Sequence, residues 1–316
     1  MAHMIETIAY AGEVPWHGLG VKVPADLSPA QMLEKADLNW TVEKTPAFAN
    51  IGGKQVSVGW SALTRSSDNS ILSVVSNDWN PVQNSEAFEF FDEYCRVGDM
   101  EMHTAGSLRD GQIVWGLAKV KDSFDLFKGD QVDSYLLFTN PHKFGQCIDV
   151  RFTPIRVVCN NTLTLSLSQK SDRVVKKNHR TEFNAAEVKQ TLGIATEKLA
   201  KYKEMAAFLG SKRYTEETAK QYFNTVFPVI AYNKEKGPQR KELSKSATRA
   251  LEVLDTQPGA RFAEGSWWQA FNAVTYLTDH EIGRSQDTRL QSAWFGANKN
   301  LKIKALETAV EFAEAA

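Results

Sequence analysis

A run of basic side chains between residues 151 and 180 is the group in this sequence whose chemistry is easiest to interpret. One acid, Asp172, lies in that range, whereas the whole chain is nearly neutral, with 37 lysine and arginine residues against 38 aspartate and glutamate residues. A local excess of positive charge on a balanced chain indicates a surface that binds an anionic partner. The alternative is a solvated surface with no partner. The cations are Arg151, Arg156, Lys170, Arg173, Lys176, Lys177 and Arg180.

Periodicity predicts that a helix begins inside this run, at Thr153-Pro154. Threonine can cap a helix, and proline suits the first helical position. From Ile155 to Leu167 the apolar residues follow one helical stripe, and Arg156 and Asn160 lie one turn apart on the other face. A strand is the alternative, because the leucines of this segment also alternate. We expect Arg173 to Lys177 to be extended or a loop.

Two other sets of residues could support catalysis. Cys159 and His179 could form a nucleophile and its base, but Cys159 lies on the apolar stripe, which favours a core cysteine. Four acids could hold Mg²⁺ for a nuclease, but their spacing is that of ordinary surface acids. These acids are Asp92, Glu93, Asp99 and Glu101.

The sequence lacks the motifs of nucleotide and zinc chemistry. There is no GxxxxGK[ST] phosphate loop, no GxGxxG after a strand and no HExxH pair. We therefore predict no catalytic residue, metal or cofactor, and a protein that is not an enzyme is favoured. What remains is a basic surface on which aromatic rings could stack on nucleobases.

Three tryptophans are candidate stacking residues: Trp16, Trp60 and Trp115. Each of them could equally belong to the core. A second, weaker cationic group consists of Arg284, Arg289 and Lys299.

The alternation of apolar and polar residues predicts an α+β fold. Period-two patterns before Thr139 indicate a strand-rich N-terminal half with a mixed or antiparallel sheet, and helical stripes after Phe183 indicate a mostly helical C-terminal half. Tight hairpin turns are predicted at Gly52-Gly53 and Asp110-Gly111. We expect two regions, an α/β core with the basic segment at 1–182 and a helical region at 183–316.

Composition is typical of a globular protein, and the cysteine usage fits a reducing cytoplasm. The chain has 316 residues and 42% hydrophobic content, which is ample for a packed core. Its cysteines, Cys95, Cys147 and Cys159, are widely spaced and form no CxxC, which argues against a zinc site or a disulfide framework. No apolar run is long enough for a membrane span, and no membrane partner is expected.

Five short motifs give the chain a specific resemblance to a known family. They resemble the phage/plasmid-like protein family, the domain-of-unknown-function family DUF932, which is found on bacteriophages, prophages and mobile plasmids. The resemblance implies a phage or plasmid origin and supplies no catalytic residue. The motifs are Pro15–Gly20 (PWHGLG), Ala105–Arg109 (AGSLR), Thr139–His142 (TNPH), Thr153–Leu163 (TPIRVVCNNTL) and Ser292–Gly296 (SAWFG).

A more distant similarity, to ring-forming single-strand annealing recombinases, implies ATP-independent binding and annealing of single-stranded DNA by a homo-oligomer. Two alternatives stay open: a metal-dependent nucleic-acid-processing enzyme, and a phage accessory protein that binds a host protein. The candidate nucleic-acid-binding residues are Arg151, Arg156, Asn160, Lys170, Arg173, Lys176, Lys177 and Arg180.

Overall fold

The computed structural model of the chain has an α+β fold, as predicted, with most strands in the N-terminal half and most helices in the C-terminal half. Two compact units form: Met1–Asp122, Ser134–Phe152 and Asp172–Thr196 make the first, and Ser123–Asp133, Thr153–Ser171 and Glu197–Ala316 make the second. The structure describes residues 5–12, 20–97, 100–120, 124–156, 161–162, 173–177, 186–228, 230–233, 237–240, 243–283, 289, 292–293 and 296–316.

The described residues form fourteen strands and seven α-helices. The strands are β1 (Ile5–Ala11), β2 (Val21–Val23), β3 (Val42–Ile51), β4 (Lys54–Arg65), β5 (Ile71–Ser76), β6 (Met100–Leu108), β7 (Ile113–Val120), β8 (Phe124–Asp125), β9 (Gln131–Pro141), β10 (Ile148–Arg156), β11 (Asn161–Thr162), β12 (Arg173–Lys177), β13 (Ile230–Asn233) and β14 (Gly237–Arg240). The helices are α1 (Pro29–Lys35), α2 (Asn84–Val97), α3 (Ala186–Ser211), α4 (Glu216–Val226), α5 (Lys245–Val253), α6 (Trp267–Tyr276) and α7 (Ala297–Glu314).

A mixed sheet forms the centre of the first unit, with strand order β10-β9-β7-β6-β1-β2 and β12 paired to β10. Strand β1 runs parallel to β2, and antiparallel pairs join β1 to β6, β6 to β7, and β7 to β9. Residues 113–118 of β7 and 132–141 of β9 are all buried; the sequence of the first is continuously apolar, whereas the second also buries the polar residues Asp133, Ser134, Thr139 and Asn140.

Helix α2 covers this sheet with its aromatic face. The ring of Phe91 lies 5.6 Å from that of Phe138 in β9, measured between centroids, and Phe88 contacts the same ring edge to face. Phe88, Phe91 and Cys95 are buried, as their helical spacing predicts. Helix α1 begins after the N-cap residue Ser28, which forms a capping box with Gln31, and Pro29 occupies the first helical position.

Strands β3, β4 and β5 form a second, antiparallel sheet in the first unit. The turn between β3 and β4 is the predicted one: Gly52 and Gly53 have φ values of 58° and 81°, which two-residue hairpin turns require and glycine tolerates. The predicted turn after β6 is also confirmed, with Asp110 and Gly111 at positive φ.

The second unit is mostly helical and packs around the start of α6. Trp267 and Trp268 are each 1% exposed. The ring of Trp267 contacts Tyr222 of α4 and Phe312 of α7, at centroid distances of 5.5 and 5.3 Å. The sequence did not predict the small β13-β14 hairpin of this half. The predicted boundary between residues 182 and 183 stays a prediction, because 178–185 lie outside the described residues.

The prediction of a helix beginning at Thr153 is wrong where the structure describes the segment. Residues 153–156 continue strand β10, and Ile155 and Arg156 pair with Thr162 and Asn161 of β11. The Thr-Pro helix signal does not determine the conformation here, because pairing with a neighbouring strand satisfies the same backbone N–H and C=O groups. That pairing cannot be read from local periodicity. The extended conformation expected for Arg173 to Lys177 is confirmed by β12.

Among the described residues, the helices are either too short or too polar to span a membrane.

Candidate nucleic-acid interface

Four of the predicted basic residues come together on two neighbouring strands of the first unit. In the antiparallel pair of β10 and β12, Arg151 stands opposite Arg173, and Lys176 stands opposite Asp149. Lys177 stands opposite Ile148, at the beginning of β10. We call Arg151, Arg173, Lys176 and Lys177 the basic ladder. Its register joins residues that are more than twenty positions apart in the sequence, so the sequence alone could not pair them.

The other predicted basic residues are not part of this pairing. Arg156 stands opposite Asn161 and belongs to the second unit. Asn160, Lys170 and Arg180 lie outside the described residues. The ladder is therefore the part of the predicted interface that the pairing of β10 and β12 brings together.

The predicted stacking tryptophans differ in exposure. Trp115 is 2% exposed in the middle of β7, so its prediction as a stacking residue is wrong: this ring is part of the core. Trp60 of β4 is 40% exposed, and Phe144, in the turn before β10, is 49% exposed. Their rings meet edge to face with centroids 5.4 Å apart. Trp16 lies outside the described residues.

This exposed ring pair lies close along the chain to the basic ladder. Phe144 precedes Ile148 by four positions, so their Cα atoms can be at most about 14 Å apart. Ile148 is the register partner of Lys177. The ring pair and the strand that pairs with the ladder are thus close along the chain, and rings together with cations are the combination that single-stranded nucleic acid requires.

The catalytic alternatives gain no support from the described residues. Arg96 forms ion pairs with both Asp92 and Glu93, and no group of three or more described His, Cys, Asp or Glu side chains could hold a metal ion. Cys159, His179 and Asp99 lie outside the described residues. Burial raises the pKa of the Cys95 thiol to about 12, so this cysteine is unsuited to be a nucleophile.

Two of the five motifs meet in the interior of the first unit. Across the sheet, Ser107 of the AGSLR motif pairs with Val114, which pairs in turn with Asn140 of the TNPH motif. Both polar side chains are buried. The Nδ2 atom of Asn140 donates to the carbonyl oxygen of Val82 at 2.9 Å, and His142 Nε2 donates to Asn84 Oδ1 at 2.9 Å.

The same interior region holds a charged group next to the aromatic ring of Trp40. The Arg65 guanidinium lies over that ring at 5.5 Å, and its Nη1 atom donates to Glu6 Oε1 at 2.6 Å. Ser107 Oγ donates to the other Glu6 oxygen at 3.0 Å. A bidentate hydrogen bond from Arg65 holds the pKa of Asp68 well below its usual range.

These buried polar residues are the positions that sequence reasoning about function missed. They come from β1, the segment before β3, β4, α2, β6 and β9, so no local spacing connects them. Their burial and mutual hydrogen bonds indicate that they fix the two sheets and α2 relative to each other within the first unit. These two motifs thus have a structural role here, whereas the ring pair of Trp60 and Phe144 is exposed.

The second cationic group is held by its own unit. Arg289 Nη2 donates to the carbonyl oxygen of Glu281, at the end of the π-helical turn Leu277–Glu281, with a distance of 3.4 Å. Asn298 Nδ2 donates to the carbonyl oxygens of Thr278 and Ile282 at 2.6 and 2.9 Å. Arg284 lies outside the described residues.

Comparison with known proteins agrees with the motifs. The sequence model of one family, described as "Domain of unknown function (DUF932)", matches residues 71–294. No curated protein and no solved structure matches the chain.

Proposed function

The chain belongs to the DUF932 family, whose description states no activity, and we propose that it binds single-stranded nucleic acid without reading its sequence. The binding would serve ATP-independent annealing of DNA strands in recombination, carried out by a homo-oligomer encoded on a phage or plasmid. Annealing needs neutralisation of phosphate charge and display of bases, and it needs no catalytic residue.

The observation that carries this proposal is the register of Arg151 opposite Arg173. Like charges directly opposite on neighbouring strands destabilise a sheet. The cost is offset when a polyanion lies across both strands, because each neutralised phosphate also releases counterions. Two lysines follow in β12: Lys176 stands opposite Asp149, and Lys177 stands opposite Ile148.

The exposed ring pair is a second observation that supports the proposal. Trp60 and Phe144 are large apolar side chains that stay about half exposed, although folding could have buried them. A base that stacks on an exposed tryptophan contributes about 1–3 kcal/mol to binding whatever its identity. Cations for the backbone and rings for the bases together favour single strands over duplex, in which the bases are already stacked.

The test reverses the charge of the ladder at two positions. We expect Lys176→Glu with Lys177→Glu to weaken binding of a fluorescent single-stranded oligonucleotide alike for all sequences. The logarithm of affinity should also depend less steeply on log salt, by about 0.7 for each phosphate that the variant no longer neutralises. The matched control is Lys201→Glu with Lys203→Glu, which makes the same change in net charge at exposed positions of α3.

Each result separates the proposal from its alternatives. Equal binding by the ladder variant and the parent at low salt overturns the nucleic-acid proposal and favours a host-protein partner. Equal loss in the ladder and control variants means that net charge alone is responsible, and this also contradicts a defined interface. Cleavage of the oligonucleotide on addition of Mg²⁺ would favour the enzyme alternative. The annealing step is tested by mixing complementary labelled strands with the parent in the absence of ATP.

A further inference from the structure

The outer part of the β3-β4 hairpin is exposed on both sides. We call residues 48–58 the hairpin arm, and none of these eleven residues is buried. Four of its apolar side chains are strongly exposed: Phe48 55%, Ile51 63%, Val56 45% and Val58 46%. Val56 pairs with Ala49, and Phe48 pairs with Ser57, so the two large side chains belong to opposite faces of the hairpin.

A bulge separates the arm from the packed part of its sheet. Pro46 pairs with Ser61, and Phe48 pairs with Ser57. Between these two pairs β3 has one residue and β4 has three. Gly59 lies in the bulge with φ 71°, and a side chain there would meet no atom within 4 Å. A bulge bends its strand and changes the direction of the residues beyond it. Inward of the bulge burial resumes, with Ser61 at 5% exposed.

The charge of the arm argues against a nucleic acid as its partner. Between Thr45 and Ser61 the sequence has one charged residue, Lys54 at the turn. Phosphate binding needs several cations, and a partner selected by charge needs complementary ions. An uncharged apolar ribbon is instead complementary to another uncharged apolar ribbon, and a second copy of this chain carries one.

The position of β3 supplies the geometry for that pairing. In the three-stranded sheet β3 is an edge strand, and β4 is its partner among the described strands. Its outer N–H and C=O groups form a template for another strand. Two copies of one edge strand can pair antiparallel about a two-fold axis, which uses the same patch twice and closes the assembly.

We propose that the hairpin arm is a self-association surface, which pairs with the arm of a second copy. A standard interface uses about 20–30 residues on each side, and the arm supplies eleven. The dimer is therefore reversible and dissociates on dilution. This inference does not depend on nucleic-acid binding, because the measurement is made with the purified full chain alone.

The test compares the parent with two double variants by sedimentation and light scattering over a wide range of concentrations. Phe48→Asp with Val56→Lys changes the arm. Ile71→Asp with Val74→Lys makes the same kind of change on β5, at side chains 65% and 48% exposed. We expect a concentration-dependent dimer for the parent and the β5 variant, and a monomer with unchanged thermal unfolding for the arm variant.

A monomeric parent, or an arm variant that still dimerises, overturns the proposal. If the arm variant does not fold, Asn50→Cys on the outer part of β3 replaces it. A bismaleimide should then crosslink this variant into dimers well beyond the level that the parent's own cysteines give. Crosslinking no greater than in the parent overturns the proposal.

Discussion

His142 Nε2 donates to Asn84 Oδ1 at 2.9 Å, and both side chains are at most 1% exposed. Asn84 Nδ2 donates in turn to the carbonyl oxygen of Leu38 at 3.0 Å. One amide therefore connects the end of β9, the start of α2 and the segment before β3. Removal of the amide would take one hydrogen bond from each of these groups in a dry interior.

We expect Asn84→Ala to lower the free energy of unfolding by about 2–3 kcal/mol, since it removes hydrogen bonds to a buried imidazole and a buried carbonyl. Urea unfolding of the parent and the variant measures the difference. The matched control is Asn50→Ala on the exposed hairpin arm, which should stay within about 0.5 kcal/mol of the parent. Similar effects of the two substitutions would contradict a structural role for the Asn84 amide.

The contrast between the Gly52-Gly53 turn and the segment after Thr153 indicates what the sequence can predict. Two consecutive glycines satisfy a local requirement for positive φ, and no distant residue can change that requirement. Thr153-Pro154 is also a local signal, but β10 forms by pairing with β11 and β12, and their register is invisible in the sequence. The local turn was therefore predictable, whereas the choice between helix and strand after Thr153 depends on pairing and was not.

The candidate site follows the same division. The basic composition of residues 151–180 is visible in the sequence, but the opposition of Arg151 and Arg173 is a property of register. Trp60 and Trp115 both lie in strands with apolar neighbours, and only the exposed fraction of each side chain separates them. The apolar run on both sides of Trp115 was the available sequence signal for a central strand with two buried faces, and hence for a buried ring.

A pH prediction rests on the ion pair of Arg65 and Asp68. Because Arg65 donates to both Asp68 oxygens, the pKa of Asp68 in the folded state lies below its value in the unfolded chain, about 3.9. The stabilisation is therefore complete above that unfolded pKa and is lost as the pH falls toward the folded pKa. Asp68→Asn lacks it at every pH.

We expect the thermal midpoint of the parent to exceed that of Asp68→Asn near neutral pH, and the difference to shrink as the pH falls below about 4. Calorimetry of both proteins over this range measures the convergence. A difference that is independent of pH would mean that the carboxylate contributes through packing and not through its charge.

At Gly210, near the end of α3, we expect a change to alanine to affect stability in the direction opposite to the usual one. In a helix that change ordinarily stabilises by up to about 1 kcal/mol. Here an added Cβ would collide with the Cε1 and Cζ atoms of Phe127, whose ring also contacts Trp268. We expect Gly210→Ala to destabilise the chain by about 1–3 kcal/mol, because overpacking displaces a ring from a packed site.

A double-mutant cycle tests whether that collision is the cause. In a Phe127→Ala background the ring is absent, so Gly210→Ala should become neutral or stabilising. Chemical unfolding of the four proteins gives the coupling energy. If Gly210→Ala costs the same with and without the Phe127 ring, the collision is not responsible.

The last prediction concerns the exposed ring of Trp60. If it stacks on a nucleobase, Trp60→Ala should weaken single-strand binding by about 1–3 kcal/mol, which is roughly fivefold to a hundredfold. Unlike charge reversal at Lys176 and Lys177, this loss should leave the salt dependence unchanged, because the same phosphates stay neutralised.

Trp60→Phe keeps a ring and should retain most of the affinity. Val74→Ala, at an exposed position in the same sheet, controls for the loss of apolar surface. Fluorescence anisotropy at two salt concentrations distinguishes the cases. Equal affinity of Trp60→Ala and the parent would remove the ring from the interface and leave the basic ladder as its sole support.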